Sequence, residues 1–120
     1  MTDRELLELA AKAAGIALSH WNDGLEPYSS GEGYVLLDNR LWNPLLDDGD
    51  ALRLAVKLGL TVCNEHESAG SVCCTRGDEV FPAVNSGEVG DPPGITENDY
   101  AATRRAIVRA AAELAKQEKP

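Results

Sequence analysis

The sequence has few aromatic residues, few basic residues and no long apolar segment. Two Trp, three Tyr and one Phe leave the core to Leu, Val, Ile and many Ala, which favours closely packed helices over a large aromatic-lined ligand pocket. No apolar run approaches ~20 residues and the first residues are charged, so we expect neither a membrane span nor a signal peptide. These absences predict a cytoplasmic protein.

Basic residues are outnumbered throughout the middle of the chain. The formal net charge is -9, which argues against direct binding to nucleic acid or to an anionic membrane, because both need a basic surface. An acidic surface instead favours a basic protein partner. The charge pattern therefore predicts protein binding and leaves homo-oligomer formation open.

Cysteine is also scarce. The three cysteines Cys63, Cys73 and Cys74 cannot all pair within one chain, and the neighbours Cys73 and Cys74 would form a strained ring. A reducing compartment is the simpler expectation. A length of 120 residues fits a single domain, residues 1–120, with a core that needs no cofactor.

Apolar spacing predicts three helices, near residues 3–14, 48–58 and 97–116. Thr2 with Glu5 has capping-box spacing, as does Thr96 with Asp99, and Asp47 or Asp48 is the expected N-cap of the central helix. The central helix is expected to bury Leu52, Ala55, Val56 and Gly59. The last helix is expected to bury Tyr100, Thr103, Ile107, Ala110, Ala111 and Leu114.

Alternating and β-branched segments predict strands between these helices. They lie at residues 16–21, 34–38, 60–66, 71–76 and 79–84, with a hairpin turn at residues 68–70. The order α-β-β-α-β-β-(β)-α predicts an α+β fold with an antiparallel sheet of four or five strands between helices. Trp42, followed by Pro44, is expected to be buried against the central helix.

Three segments resemble a known family. Residues 42–45 (WNPL), residues 47–58 (DDGDALRLAVKL) and residues 101–113 (AATRRAIVRAAAE) are similar to small bacteriophage and prophage proteins of the phage "ABA sandwich" type. The resemblance implies a helix-sheet-helix domain in a phage accessory protein, active in the bacterial host cytoplasm. It implies no catalytic residue, because the matching motifs are structural.

The cysteines suggest two kinds of chemistry, zinc binding and nucleophilic catalysis. Cys63, His66, Cys73 and Cys74 include enough ligands for tetrahedral zinc, but alternate strand residues point to opposite faces, so convergence would need a bulge. A Cys nucleophile with His20 or His66 lacks a supporting motif. We favour small buried cysteines over both, and helix capping over a cation site for Asp47, Asp48 and Asp50.

Binding is the favoured function, with two alternative surfaces. The first consists of two loops, residues 26–33 and 85–95, whose candidate partner-binding residues are Glu26, Tyr28, Glu32, Glu88 and Asp91. Their partner would be a host protein such as a defence component, with the acidic surface mimicking nucleic acid. The alternative is sequestration of a small anion, such as a nucleotide, by the helix residues Arg104, Arg105 and Arg109. We expect no enzymatic activity.

Overall fold

A computed structural model describes residues 1–24, 31–86 and 95–117. These residues form an α+β fold with four helices and seven strands. The helices are α1 (Asp3–Ala14), α2 (Asp48–Leu58), the short α3 (His66–Ala69) and α4 (Glu97–Gln117). The strands are β1 (Leu18–Asp23), β2 (Glu32–Leu36), β3 (Leu41–Trp42), β4 (Thr61–Glu65), β5 (Ser71–Arg76), β6 (Glu79–Val80) and β7 (Val84–Asn85). The predicted class and element order are confirmed.

The helix boundaries follow from local capping. The Thr2 side chain accepts from the Glu5 amide while the Glu5 carboxylate accepts from the Thr2 amide, which completes the predicted capping box. Asp47 caps α2 by accepting from the Asp50 amide at 2.8 Å. Gly15 and Gly59 end α1 and α2 in the left-handed conformation that glycine adopts without strain.

The strands form two antiparallel sheets rather than the single sheet that we predicted. One sheet has the order β1-β2-β3, and in the other β5 pairs with β4 along one edge and with β6 and β7 along the other edge. Helix α2 separates β3 from β4 in the chain. The prediction missed this division because a sequence pattern identifies strands but does not specify which distant strands hydrogen-bond.

Two short elements differ from the predicted ones. The predicted strand at residues 60–66 ends at Glu65, and α3 replaces the turn predicted at residues 68–70. The predicted strand at residues 79–84 is divided into β6 and β7. Pro82 lies between them and has no amide hydrogen to donate to a ladder, which explains the interruption.

Helix α4 lies at the centre of the core and packs against α1, α2 and β5. Its fully buried Ala110, Ala111 and Ala112 let these neighbours approach closely. Trp42 is buried in the same core, as predicted. The small side chains thus explain how a chain with few aromatics fills its interior.

Our prediction of the buried face of α2 was wrong. Of the four predicted residues only Ala55 is buried, whereas Leu52 and Val56 are 63% and 72% exposed and Gly59 is exposed. The helix buries Ala51 and Leu54 together with Ala55. The helix carries two overlapping apolar stripes, because residues 51, 54, 55 and 58 have the same spacing as residues 52, 55, 56 and 59. Tertiary packing selects the first stripe and leaves the second on the surface.

Candidate protein-binding groove

An apolar groove lies between α2 and α4, over β4. It has a volume of about 350 Å³, and its apolar lining consists of Ala51, Leu52, Ala55, Val62, Tyr100 and Ile107. We call this feature the α2–α4 groove. Its floor belongs to the core, since Ala51, Ala55 and Ile107 are buried.

Large apolar side chains remain exposed at this groove. Leu52 and Tyr100 line it, and Tyr100 is 50% exposed although we predicted that it would be buried. Val56 lies one turn from Leu52 on the same side of α2. A single exposed Leu needs no explanation, but a cluster beside an apolar groove is typical of an interaction surface.

Arg104 fixes the two helices at one end of the groove. Its Nε donates to the Leu45 carbonyl oxygen at 2.8 Å, and its two terminal nitrogens donate to Asp48 at 2.6 Å and Glu97 at 2.9 Å. Burial alone would lower the pKa of Arg104, but the bonds to Glu97 and Asp48 raise it above its ordinary value. The guanidinium is therefore a charged structural link between α4 and the start of α2.

The carboxylates that bind Arg104 remain accessible from solvent. The Asp48 side chain is 70% exposed and the Glu97 side chain is 77% exposed. Both lie beside the α2–α4 groove, and Asp48 is part of its lining. The apolar groove therefore has an acidic rim.

A polar network holds the opposite side of the α2 N-terminus. The buried Asp50 carboxylate accepts from the Asn43 amide at 2.9 Å and from Arg53 at 2.7 Å. The Asn43 side chain donates to the Glu32 carbonyl oxygen and accepts from the Leu45 amide.

A neighbouring cavity of about 390 Å³ is lined by these polar groups and by Arg40. Its main charged side chains, Asp47, Asp50 and Arg53, are already paired with one another.

His66 is buried beneath the groove in a second polar network. Its Nδ1 lies 2.7 Å from Ser86 Oγ and 3.4 Å from Asp99 Oδ1, and its Nε2 lies 2.8 Å from Thr103 Oγ1. Thr103 also donates its hydroxyl proton to the Asp99 carbonyl oxygen at 2.8 Å. The pKa of the Asp99 carboxyl is lowered, chiefly because the carboxylate accepts a hydrogen bond from the Thr96 backbone amide.

This network differs from a catalytic triad. In a triad the nucleophile and the acid bind opposite nitrogens of the imidazole, whereas Ser86 and Asp99 both face Nδ1. The Thr103 hydroxyl proton is not directed at the imidazole. The network ties α3 and the end of β7 to α4, and so supports the groove from below.

The four side chains considered for zinc, Cys63, His66, Cys73 and Cys74, do not form a metal site. Among the described residues, no group of three or more His, Cys, Asp or Glu side chains could hold a metal ion. His66 contacts Ser86 and Thr103, while Cys74 is completely buried and Cys63 and Cys73 are half-buried. Cys73 and Cys74 are successive residues of β5 and point to opposite faces, which is the geometric obstacle stated above.

The other predicted site residues are only partly described. Glu26, Tyr28, Glu88 and Asp91 lie outside the described residues, and Glu32 is exposed at the start of β2. Arg105 binds the exposed Asp3 at 3.1 Å and Arg109 is exposed, whereas Arg104 is buried. The three arginines therefore do not lie on one face, and Arg104 already donates to three protein acceptors.

Sequence reasoning missed the groove. The signal in the sequence was that α2 carries two apolar stripes. Whichever stripe packs into the core, the other remains on the surface. Ser86 and Thr103 as partners of His66 had no local signal, because they lie 20 and 37 positions away.

Comparisons with protein-family models, curated proteins and solved structures found no match for this chain. The resemblance to phage proteins therefore stays a prediction. Within the described residues, no helix is both long enough and apolar enough to span a membrane.

Proposed function

We propose that the protein acts by binding a basic, amphipathic helix of a partner protein in the α2–α4 groove. The observation that carries the proposal is that Leu52 and Tyr100, which are 63% and 50% exposed, line an apolar groove. Val56, which is 72% exposed, lies one turn from Leu52 on α2. In helix-in-groove recognition a partner helix lays its apolar face into an apolar groove, and the exposed side chains at this groove would meet that face.

Charge favours a basic partner. The Asp48 and Glu97 carboxylates lie on the rim, and the whole chain carries a net charge of -9. A helix with Lys or Arg beside its apolar stripe could place its charges against this rim. Such complementarity mainly accelerates association and selects the partner, while apolar burial supplies most of the affinity.

Binding is favoured over catalysis because of the polar groups nearest the groove. Thr103 lines the groove, but its hydroxyl proton is donated to a backbone carbonyl oxygen, so His66 is not placed to activate it. Arg104 uses its donors on three protein acceptors. Neither group is free to act on a bound molecule.

The resemblance to phage proteins suggests a source for the partner helix. In a phage accessory protein the helix would belong to a host protein, such as a defence component. Nucleic-acid-binding proteins often present basic helices, so an acidic groove that holds one would act as a nucleic-acid mimic. This host assignment is a further hypothesis and rests on the sequence alone.

The test uses two synthetic helical peptides that share one apolar stripe and carry either Lys or Glu on the polar face. We expect fluorescence anisotropy to show that the Lys peptide binds at low salt and that the Glu peptide binds much more weakly. Leu52→Asp should weaken Lys-peptide binding by about 30-fold, which corresponds to ~2 kcal/mol for a central apolar contact.

Leu37→Asp is the matched control. Leu37 is 74% exposed but does not line the groove, so its replacement should leave peptide affinity unchanged. Equal binding of both peptides, or equal effects of the two substitutions, would contradict the proposal. So would a homodimer that Leu52→Asp dissociates, because the groove would then be occupied by a second copy of the chain.

A further inference from the structure

Two cysteines lie directly opposite each other in the second sheet. Cys63 in β4 and Cys73 in β5 are register partners in an antiparallel pair. Opposite residues of such a pair have Cα atoms about 4.5 or 5.5 Å apart, depending on the hydrogen-bonding position. Both distances fall within the range of about 4.4–6.8 Å that a disulfide requires.

The two thiols share one face of the sheet. Along β5, Val72 and Cys74 are buried whereas Ser71, Cys73 and Thr75 are half-buried, so Cys73 lies on the more open face. Cys63 shares that face because directly opposite side chains lie on the same side of an antiparallel pair. The proximity of the Cys63 thiol contributes to the raised pKa of the Cys73 thiol, as expected of neighbours on one face.

We propose that Cys63 and Cys73 form a cross-strand disulfide by thiol–disulfide exchange with a small disulfide such as oxidised glutathione. One protein thiolate attacks a glutathione sulfur, forms a mixed disulfide and releases one glutathione thiolate. The second protein thiolate attacks the protein sulfur of that mixed disulfide, closes the bridge and releases the second glutathione. The protein dithiol loses two electrons and two protons, and one glutathione disulfide becomes two glutathione thiols.

Cys74 is excluded as a bridge partner by its position. It is completely buried on the opposite face, and burial raises the pKa of its thiol to about 11. A bridge to the adjacent Cys73 would also need a strained ring. The pair Cys63 and Cys73 is the only combination of these three cysteines that meets both the distance and the facing requirements.

Exchange should be slow. Burial, followed by the hydrogen bond and charge of Cys63 and by nearby Glu65, raises the pKa of Cys73. Little thiolate is therefore present at neutral pH, and incubation for hours at mildly alkaline pH is appropriate.

The test equilibrates the folded protein with mixtures of oxidised and reduced glutathione, and then blocks the remaining thiols with N-ethylmaleimide in denaturant, so that the buried Cys74 also reacts. Intact mass is then measured. We expect oxidised wild-type protein to lose two hydrogens and two alkylation sites, with Cys63 and Cys73 linked in the peptide map. Cys74→Ala should form the same bridge, whereas Cys63→Ser and Cys73→Ser should form none and gain at most a glutathione adduct.

The peptide map of the wild-type protein decides the matter if Cys74→Ala fails to fold. Three alkylated thiols under oxidising conditions, a bridge between Cys73 and Cys74, or a bridge between two chains would each overturn the proposal. The result is independent of peptide binding, because Cys63 lies on the face of β4 opposite Val62, which lines the α2–α4 groove.

Discussion

Replacing Arg104 by Ala should destabilise the fold far more than replacing its neighbour Arg105. The buried Arg104 guanidinium supplies a hydrogen bond to the Leu45 carbonyl oxygen at 2.8 Å, and the substitution leaves that acceptor without its partner. Loss of a buried bond to a charged group costs about 1.5–3 kcal/mol. This single bond is the largest part of the expected effect.

The two ion pairs of Arg104 add less. Asp48 and Glu97 are 70% and 77% exposed, so solvent screens them and each pair contributes about 0.5 kcal/mol. Together with the bond to Leu45, we expect Arg104→Ala to lower the free energy of unfolding by about 3 kcal/mol. Arg104→Lys should lower the free energy of unfolding by an intermediate amount. The Lys ammonium keeps the positive charge but lacks the planar guanidinium that binds the three acceptors together.

Urea unfolding followed by tryptophan fluorescence measures these changes. Arg105→Ala is the matched control, since Arg105 forms an ion pair with the exposed Asp3 and its replacement should cost ~0.5 kcal/mol or less. The slope of the transition should stay unchanged, so the midpoint reports stability directly. An Arg104→Ala midpoint no lower than that of Arg105→Ala would refute the structural role.

Three further predictions concern the core and the His66 network. Trp42→Ala should cost about 3 kcal/mol or more in urea unfolding, because Trp42 is buried in the core; an unchanged midpoint would place Trp42 outside the core. Gly33→Ala should destabilise by about 1–3 kcal/mol, since the new Cβ would lie 2.8 Å from the Trp42 carbonyl oxygen; a neutral effect would refute that close approach. Asp99 has a lowered pKa when folded, so its ionised form stabilises the protein above the unfolded pKa of about 3.9, and this contribution disappears as pH falls through the lower folded pKa; Asp99→Asn should remove that part of the acid-induced loss in thermal melts, and an unchanged pH profile would contradict it.

The sequence predicted the long helices well because their signals are local. Thr2 and Glu5 form the capping box that their spacing predicts, and Asp47, one of the two predicted N-caps of α2, accepts from the Asp50 amide. The ends of α1 and α2 are signalled just as locally, by the glycines Gly15 and Gly59. Such signals depend little on the rest of the fold.

The features that failed depend on distant partners. The sequence suggests that Arg104 belongs to a basic helix face, but the structure buries it against Asp48 and Leu45. These partners lie 56 and 59 positions away in the chain, so no local signal reveals them. The exposed face of α2 was mistaken for the buried one because both stripes have helical spacing. The α2–α4 groove follows from that tertiary choice and could not be located from sequence spacing alone.

Chemical-shift mapping of the isotope-labelled protein would show whether the α2–α4 groove binds a basic amphipathic helix. Titration with the Lys peptide should shift the backbone amides of Leu52, Val56 and Tyr100 with one common affinity, while Leu37 and Val80, which are exposed elsewhere, stay unchanged. Shifts that miss α2 and α4, or that are reproduced by the Glu peptide at equal affinity, would contradict the account.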